Sequence, residues 1–152
     1  MTRAELRGVC VVESWVDGMP PVAVEEGRLV QILVNLFRNS GDAIRDAEGG
    51  RIRVTAQLES VPPTSNRMAS SRVLILVEDD GPGVDGAIAG QLFERFQTTK
   101  DDSKGTGLGL NISRNIARQV DGDLGLAPGV LGGACFALRI PVFTEVLKRR
   151  AS

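Results

Sequence analysis

The sequence predicts an α/β two-layer sandwich, a mixed β-sheet covered on one face by helices. Three observations lead there. Two stretches carry apolar residues at helical spacing and stop at glycine, and the rest is punctuated by apolar or alternating runs of strand length. The order is strand, long helix, strands, helix, strands, which suits one sheet with a helical layer. A length of 152 residues and 16.2 kDa fits a single domain, residues 1–152, long enough to bury a core.

Val9-Cys10-Val11-Val12-Glu13-Ser14-Trp15 reads as the first strand, ended by Asp17-Gly18-Met19-Pro20-Pro21. From about Glu25 to Ala47 the pattern is helical, with Leu29, Ile32, Leu33, Leu36, Ser40, Ala43 and Ala47 along one face and Gly49-Gly50 as the stop. Arg51 to Glu59 alternates, with Ile52, Val54, Ala56 and Leu58 on one side, so it is a half-buried strand. Val73-Leu74-Ile75-Leu76-Val77 is continuously apolar, as in a strand covered on both faces. Between these two strands, Val61 to Ser71 is rich in Pro and Ser and reads as an exposed, mobile hairpin loop. A second amphipathic helix is marked by Leu108, Ile112, Ile116 and Val120 and stops near Asp121-Gly122. Two closing strands follow, Asp123 to Ala127 and Ala134 to Ile140, joined by a turn carrying Gly129, Gly132 and Gly133.

Composition narrows the function. A net charge of -1 argues against wrapping a nucleic acid or coating an anionic membrane, so no nucleic-acid or direct membrane contact is expected. No signal peptide or long apolar segment is present, and the chain reads as cytoplasmic, with a membrane-anchored parent protein left open. Cys10 and Cys135 lie in strand-like runs and read as buried free thiols. The chain contains no histidine.

Four small motifs carry the chemistry. Asn35, Asn39 and Asp42 fall within about 60° of arc on the long helix, beside its apolar stripe. An asparagine carbonyl is a neutral oxygen ligand suited to Mg²⁺ that also takes phosphate oxygens; a solvated polar flank is the alternative. Asp79 follows the most apolar strand and precedes Asp80-Gly81-Pro82-Gly83. An ionised carboxylate only accepts, so it matches the amino group of adenine and repels the carbonyl of guanine. Gly81 and Gly83 let backbone approach a flat base, although a plain strand-ending turn uses the same residues.

Gly105-Thr106-Gly107-Leu108-Gly109 opens the second helix, where free N–H groups and the helix dipole favour phosphate. It is neither a Walker loop nor a dinucleotide fingerprint, and a glycine-rich helix start is the alternative. Thr98-Thr99-Lys100-Asp101-Asp102-Ser103-Lys104 links Phe93-Glu94-Arg95-Phe96 to that loop and has the polar, aperiodic character of a lid. Lys100 is placed to meet a terminal phosphate or, alternatively, to stay solvated.

In this order and spacing the motifs resemble the N, G1, F and G2 boxes of the catalytic domain of sensor histidine kinases. That domain shares a superfamily with type II topoisomerases, Hsp90 and the MutL mismatch-repair proteins. The resemblance spans about residues 20–141 and closes on Gly132-Gly133-Ala134-Cys135-Phe136 and Ile140-Pro141. It implies the Bergerat ATP-binding fold with ATP and Mg²⁺ as cofactors. Asn39 would then sit on Mg²⁺, Asp79 on adenine, and Gly105, Gly107 and Gly109 at the phosphates. Asn35, Asp42, Gly81, Gly83, Thr99, Lys100, Thr106 and Leu108 complete the implied nucleotide site.

Asn39-Ser40-Gly41-Asp42-Ala43-Ile44 and Phe93 to Lys100 are most similar to kinases of the nitrogen-regulation and oxygen-sensing type. Many other histidine kinases carry a basic residue where Asp42 stands, which makes Lys100 the candidate phosphate contact and, with Asn39, the candidate catalytic pair. ATP-hydrolysing relatives and anti-sigma serine kinases carry a glutamate base where this chain has Asn35, and an amide takes no proton at neutral pH.

The resemblance therefore implies phosphoryl donation to an external histidine. That histidine lies on a helical dimerisation and phosphoacceptor domain, in the parent protein or in trans, with a response regulator as indirect partner. A hydrolysing ATPase or serine kinase is one rival, and a non-catalytic nucleotide-binding or interaction module is the other.

Overall fold

A computed structural model describes residues 2–6, 9–15, 17–45, 50–66, 68–94 and 109–143. The elements in chain order are β1 (Thr2–Leu6), β2 (Val9–Trp15), α1 (Glu26–Ala43), β3 (Gly50–Val61), β4 (Ser70–Asp79), α2 (Gly86–Ala89), α3 (Gly109–Gln119), β5 (Asp123–Leu126) and β6 (Cys135–Pro141). The strands form one six-stranded sheet in the order β1-β2-β3-β4-β6-β5. Only β2 and β3 pair in parallel, with α1 as their crossover; every other neighbour is antiparallel. The sheet is therefore mixed, as expected.

The two-residue period of the strands decides which side chains meet the helices. Ile52 and Val54 of β3, Val77 of β4, Phe136, Leu138 and Ile140 of β6 and Leu124 of β5 share a core with Ile32 and Leu36 of α1 and Ile116 and Ala117 of α3. The opposite face carries ion pairs. Arg53 bonds Glu78 at 2.8 Å, and Glu59 accepts from Arg72 at 2.6 Å and from Arg139 at 3.2 Å. β4 lies mid-sheet, so Leu74 on that second face is buried as well, which accounts for its unbroken apolar run.

Several boundaries differ from the sequence reading. β1 adds a strand that its sequence does not announce; Thr2 to Leu6 becomes extended by pairing antiparallel with β2. α1 ends at Ala43, and Ile44 closes it by donating to the Ser40 carbonyl at 3.2 Å; Ala47 lies outside the described residues. Gly50 opens β3 where any Cβ would come within 2.6 Å of the Ile44 side chain, so the strand passes directly beneath the helix end. β3 outruns the helical layer, which leaves Leu58 53% exposed despite its place in the alternation.

The buried face of α3 comprises Leu110, Ser113, Ile116 and Ala117, while Ile112 is 40% exposed. The physical reason is geometric. Residues spaced by four drift about 40° per step, so along the line through 112, 116 and 120 Ile112 falls off the contact face while Ile116 is buried and Val120 packs against the core. Cys135 is buried but Cys10 only half-buried; both are free. Burial and the nearby Glu78 charge push the Cys135 thiol up to about 11, so it stays protonated at neutral pH.

Candidate functional site

The alternation of β4 puts Asp79 on the helix-side face, in line with Val77, Ile75 and Val73, where only 1% of it is exposed. A carboxylate there is costly unless bonded. One oxygen is. Asp79 Oδ1 accepts N–H groups from Gly81 at 3.0 Å and Ala134 at 3.1 Å. The other oxygen, Oδ2, is buried and has no partner among the described residues. Backbone bonds lock the residue to the start of β6: its N–H donates to the Ala134 carbonyl at 3.0 Å, and its own carbonyl accepts from Gly133 at 3.1 Å.

Glycine is required at two places here. A Cβ on Gly133 would collide with the Asp79 carboxylate and carbonyl oxygen. Gly83, at φ +79°, adopts a left-handed turn conformation, and a Cβ on it would stand 3.7 Å from the Gly133 backbone. A Cβ on Gly81 would sit 3.2 Å from Ala43, so the turn after Asp79 abuts the end of α1. Asp80 fastens the turn from outside, its Oδ1 accepting the Arg51 N–H at 2.8 Å.

On α1, Asn39 donates its amide N–H to the Asn35 carbonyl at 2.8 Å, which fixes the amide and keeps its side-chain oxygen as an acceptor. Asn35 turns the other way. Its amide donates to the Ser113 hydroxyl at 3.0 Å and to the Gly109 carbonyl at 3.3 Å. It thereby holds the start of α3, with the last glycine of the Gly-rich loop, against α1. Asp42 forms an ion pair with Arg45 one turn on. Ser40, next to Asn39, is fully buried and its hydroxyl has no partner among the described residues.

The structure thus brings together Asn35, Asn39, Asp42, Asp79, Gly81, Gly83 and Gly109 around the C-terminal half of α1 and the ends of β4 and α3. Thr99, Lys100, Gly105, Thr106, Gly107 and Leu108 lie outside the described residues. Phe93, just before residues 95–108, is buried, with Arg114 of α3 5.0 Å above its ring and its carbonyl accepting from Asn111 at 2.9 Å.

Sequence reasoning missed four contributors: Ser40 stood in the apolar stripe, Gly133 read as a turn glycine and part of the closing motif, and Asn111 and Arg114 were not singled out. A serine inside an apolar stripe was the one available signal. A separate apolar groove of about 420 Å³, lined in part by Trp15, Met19, Val22, Leu29 and Val73, lies toward the other end of the sheet and shares no residue with this site.

Arrangement and sequence place the chain in a known family. Residues 24–144 match the family of histidine kinase-, DNA gyrase B- and HSP90-like ATPases, and the chain belongs to it. It is 38% identical over 135 residues to the C4-dicarboxylate transport sensor protein DctS of Rhodobacter capsulatus, covering 87% of this chain and 19% of that protein. It is 30% identical over 148 residues to sporulation kinase E of Bacillus subtilis, covering 97% of this chain and 18% of that protein. The chain therefore spans about a fifth of the length of these relatives.

Among solved structures, the catalytic domain of histidine kinase ThkA superimposes with a TM-score of 0.70 at 26% identity, over 89% of this chain and 81% of that one. Full-length ShkA in complex with AMPPNP matches with a TM-score of 0.61 at 27% identity, over 89% of this chain and 25% of that one. The fold is that of histidine kinase catalytic domains. Among the described residues no helix is long and apolar enough to cross a membrane.

Proposed function

We propose that this chain is one ATP-binding unit that holds Mg²⁺-ATP and donates its γ-phosphoryl group to a histidine on a separate helical dimerisation domain. The observation that carries the reading is the division of labour on Asp79. Backbone N–H groups occupy Oδ1, and Oδ2 is buried with no partner among the described residues. Leaving such an acceptor without a donor is costly, and the amino group of adenine is a donor of the right kind.

Asn39 is suited to Mg²⁺, since its pinned amide offers one neutral oxygen and leaves the remaining positions to phosphate and water. Magnesium would neutralise phosphate charge during transfer. The chain's own residues bind and orient. Asp79 selects the base, Asn35 keeps α3 and its N-terminal glycine beside α1, and Asn111 with Arg114 seats Phe93 at the root of the lid segment. Lys100 with Thr99, and Gly105 to Leu108, are proposed to meet the phosphates.

Asn35 is a donor to two α3 groups and cannot serve as a base toward water. With no histidine in the chain, the acceptor must come from elsewhere, and the relatives, about five times longer, have room for it. A cytoplasmic location, a response regulator downstream and the absence of nucleic-acid or membrane contact belong to the same proposal.

The test is phosphate transfer. Incubated alone with γ-labelled ATP, the chain should gain no acid-labile phosphate and release inorganic phosphate very slowly. Adding a histidine-bearing helical domain from the parent protein should give acid-labile, alkali-stable labelling of that domain. Rapid hydrolysis by the pure chain, abolished by Asn39→Ala, would overturn the proposal in favour of a hydrolysing ATPase.

A further inference from the structure

Glu78, next to Asp79, points to the opposite face of the sheet and is equally buried, at 2% exposure. Its carboxylate does two things. Oε1 pairs with Arg53 on the neighbouring strand at 2.8 Å, and Oε2 accepts the N–H of Val130 at 2.8 Å. Val130 belongs to the β5–β6 loop, 52 residues away in sequence, and the same loop supplies Gly133 and Ala134 to Asp79.

Two consecutive residues of β4 therefore grip one loop from the two faces of the sheet, Glu78 near its middle and Asp79 at its end. Between the grips the loop runs close to the turn after Asp79, since a Cβ on Gly83 would stand 3.7 Å from the Gly133 backbone. The fit is close, since a Cβ on Gly129 would stand 3.0 Å from both Glu78 Oε2 and the Cys135 Cβ. An unanchored loop could carry the Ala134 N–H away from Oδ1. The Asp79 carboxylate would then be free to rotate, and Oδ2 would lose its fixed direction.

We infer that Glu78, braced by Arg53, is a positioning residue for base selectivity: it holds the β5–β6 loop so that Asp79 presents a single oriented oxygen to the purine. The inference rests on the reading of Asp79 as the adenine contact. It assigns Glu78 no contact with nucleotide. Its effect is confined to the base, since the phosphate end of the site is built from α1 and the start of α3.

The experiment is calorimetric titration of the chain with Mg²⁺-ADP, Mg²⁺-GDP and Mg²⁺-tripolyphosphate, which lacks a base. Glu78→Ala should lower ADP affinity about tenfold, an effect the size of one lost buried hydrogen bond. It should bring the ADP-to-GDP ratio toward one and leave tripolyphosphate binding unchanged. Glu78→Gln, whose amide oxygen still accepts from Val130, should restore most of the ratio.

Gly129→Ala provides an independent arm if Glu78→Ala folds poorly, because it wedges the loop off Glu78 while keeping the Arg53 pair. It too should reduce the ADP-to-GDP ratio. An unchanged ratio in Glu78→Ala, or in Gly129→Ala where only that variant folds, would overturn the inference, as would equal losses for all three ligands. Failure of the unaltered chain to prefer ADP over GDP would instead sink the adenine role of Asp79, which separates the two failures.

Discussion

Replacing Asp79 by asparagine changes one atom, and the surrounding bonds decide where that atom goes. Oδ1 accepts two backbone N–H groups, from Gly81 and Ala134. Turning the new NH₂ group into that position would set three donors against one another. It would leave two buried N–H groups unpaired, at about 1–3 kcal/mol each. The asparagine therefore keeps its carbonyl oxygen there, and its amide nitrogen takes the place of Oδ2. The fold keeps its bonds, and the face offered to ligand changes from acceptor to donor.

Adenine presents an amino group, so donor now meets donor. The lost charge-assisted hydrogen bond is worth about 1.5–3 kcal/mol, or roughly 10- to 150-fold in affinity. Hypoxanthine carries a carbonyl in place of that amino group and should gain what adenine loses. Calorimetric titration of Asp79→Asn with Mg²⁺-ADP and Mg²⁺-IDP should show ADP affinity falling, IDP affinity rising and a nearly unchanged melting temperature. Equal losses for both nucleotides, or unaltered ADP binding, would refute the argument. Asp79→Ala provides the contrast: it strands both N–H groups and should lower the melting temperature as well as binding.

Asn39→Ala removes the proposed oxygen ligand from a half-buried helix position outside the core, so circular dichroism should be unchanged. The gain in ATP affinity on adding Mg²⁺ should shrink about tenfold or more, since even outer-shell changes at metal sites cost that much. On α3, Ile116→Ala should cost about 2–5 kcal/mol in urea unfolding and Ile112→Ser only about 0.5 kcal/mol, because the first is in the core and the second 40% exposed; equal costs would refute the observed helix register. Acid should also weaken the fold through Glu78. Burial alone raises its pKa, but the Val130 N–H and the Arg53 guanidinium outweigh that and hold it below the ordinary 4.5. A lowered folded-state value contributes stability above about pH 4.5 that is lost as pH falls through the lowered value. Urea midpoints should therefore decline below that pH, less steeply in Glu78→Gln than in the unaltered chain.

The residues that were legible in sequence are those whose chemistry is local. Strand β4 was visible as an apolar run, and Asp79 stood out because a carboxylate followed that run and a Gly-Pro-Gly turn followed the carboxylate. Asn35 and Asn39 were visible as amides at helical spacing. Their separate tasks were not, because the division depends on Ser113 and Gly109, more than 70 residues away. β1 was invisible for a similar reason: nothing within Thr2 to Leu6 prefers extension until β2 lies beside it. The Ile112 register was misread because a four-residue spacing imitates a stripe over one or two turns and drifts over three.

The deepest omission concerns what orients Asp79. Its decisive donors are backbone N–H groups, which carry no side-chain signature, and one of them comes from Ala134, 55 residues on. Their single trace in the sequence is negative. Gly133 must lack a Cβ because the space is filled by the carboxylate it helps to hold. Gly129 is constrained in the same way by Glu78. Two glycines that read as punctuation in a turn are thus the imprint of two acids in a strand, and the reason for each lies only in the other. A site assembled in this way can keep its chemistry while the loop sequence varies, provided those two positions stay small and the N–H groups stay in place.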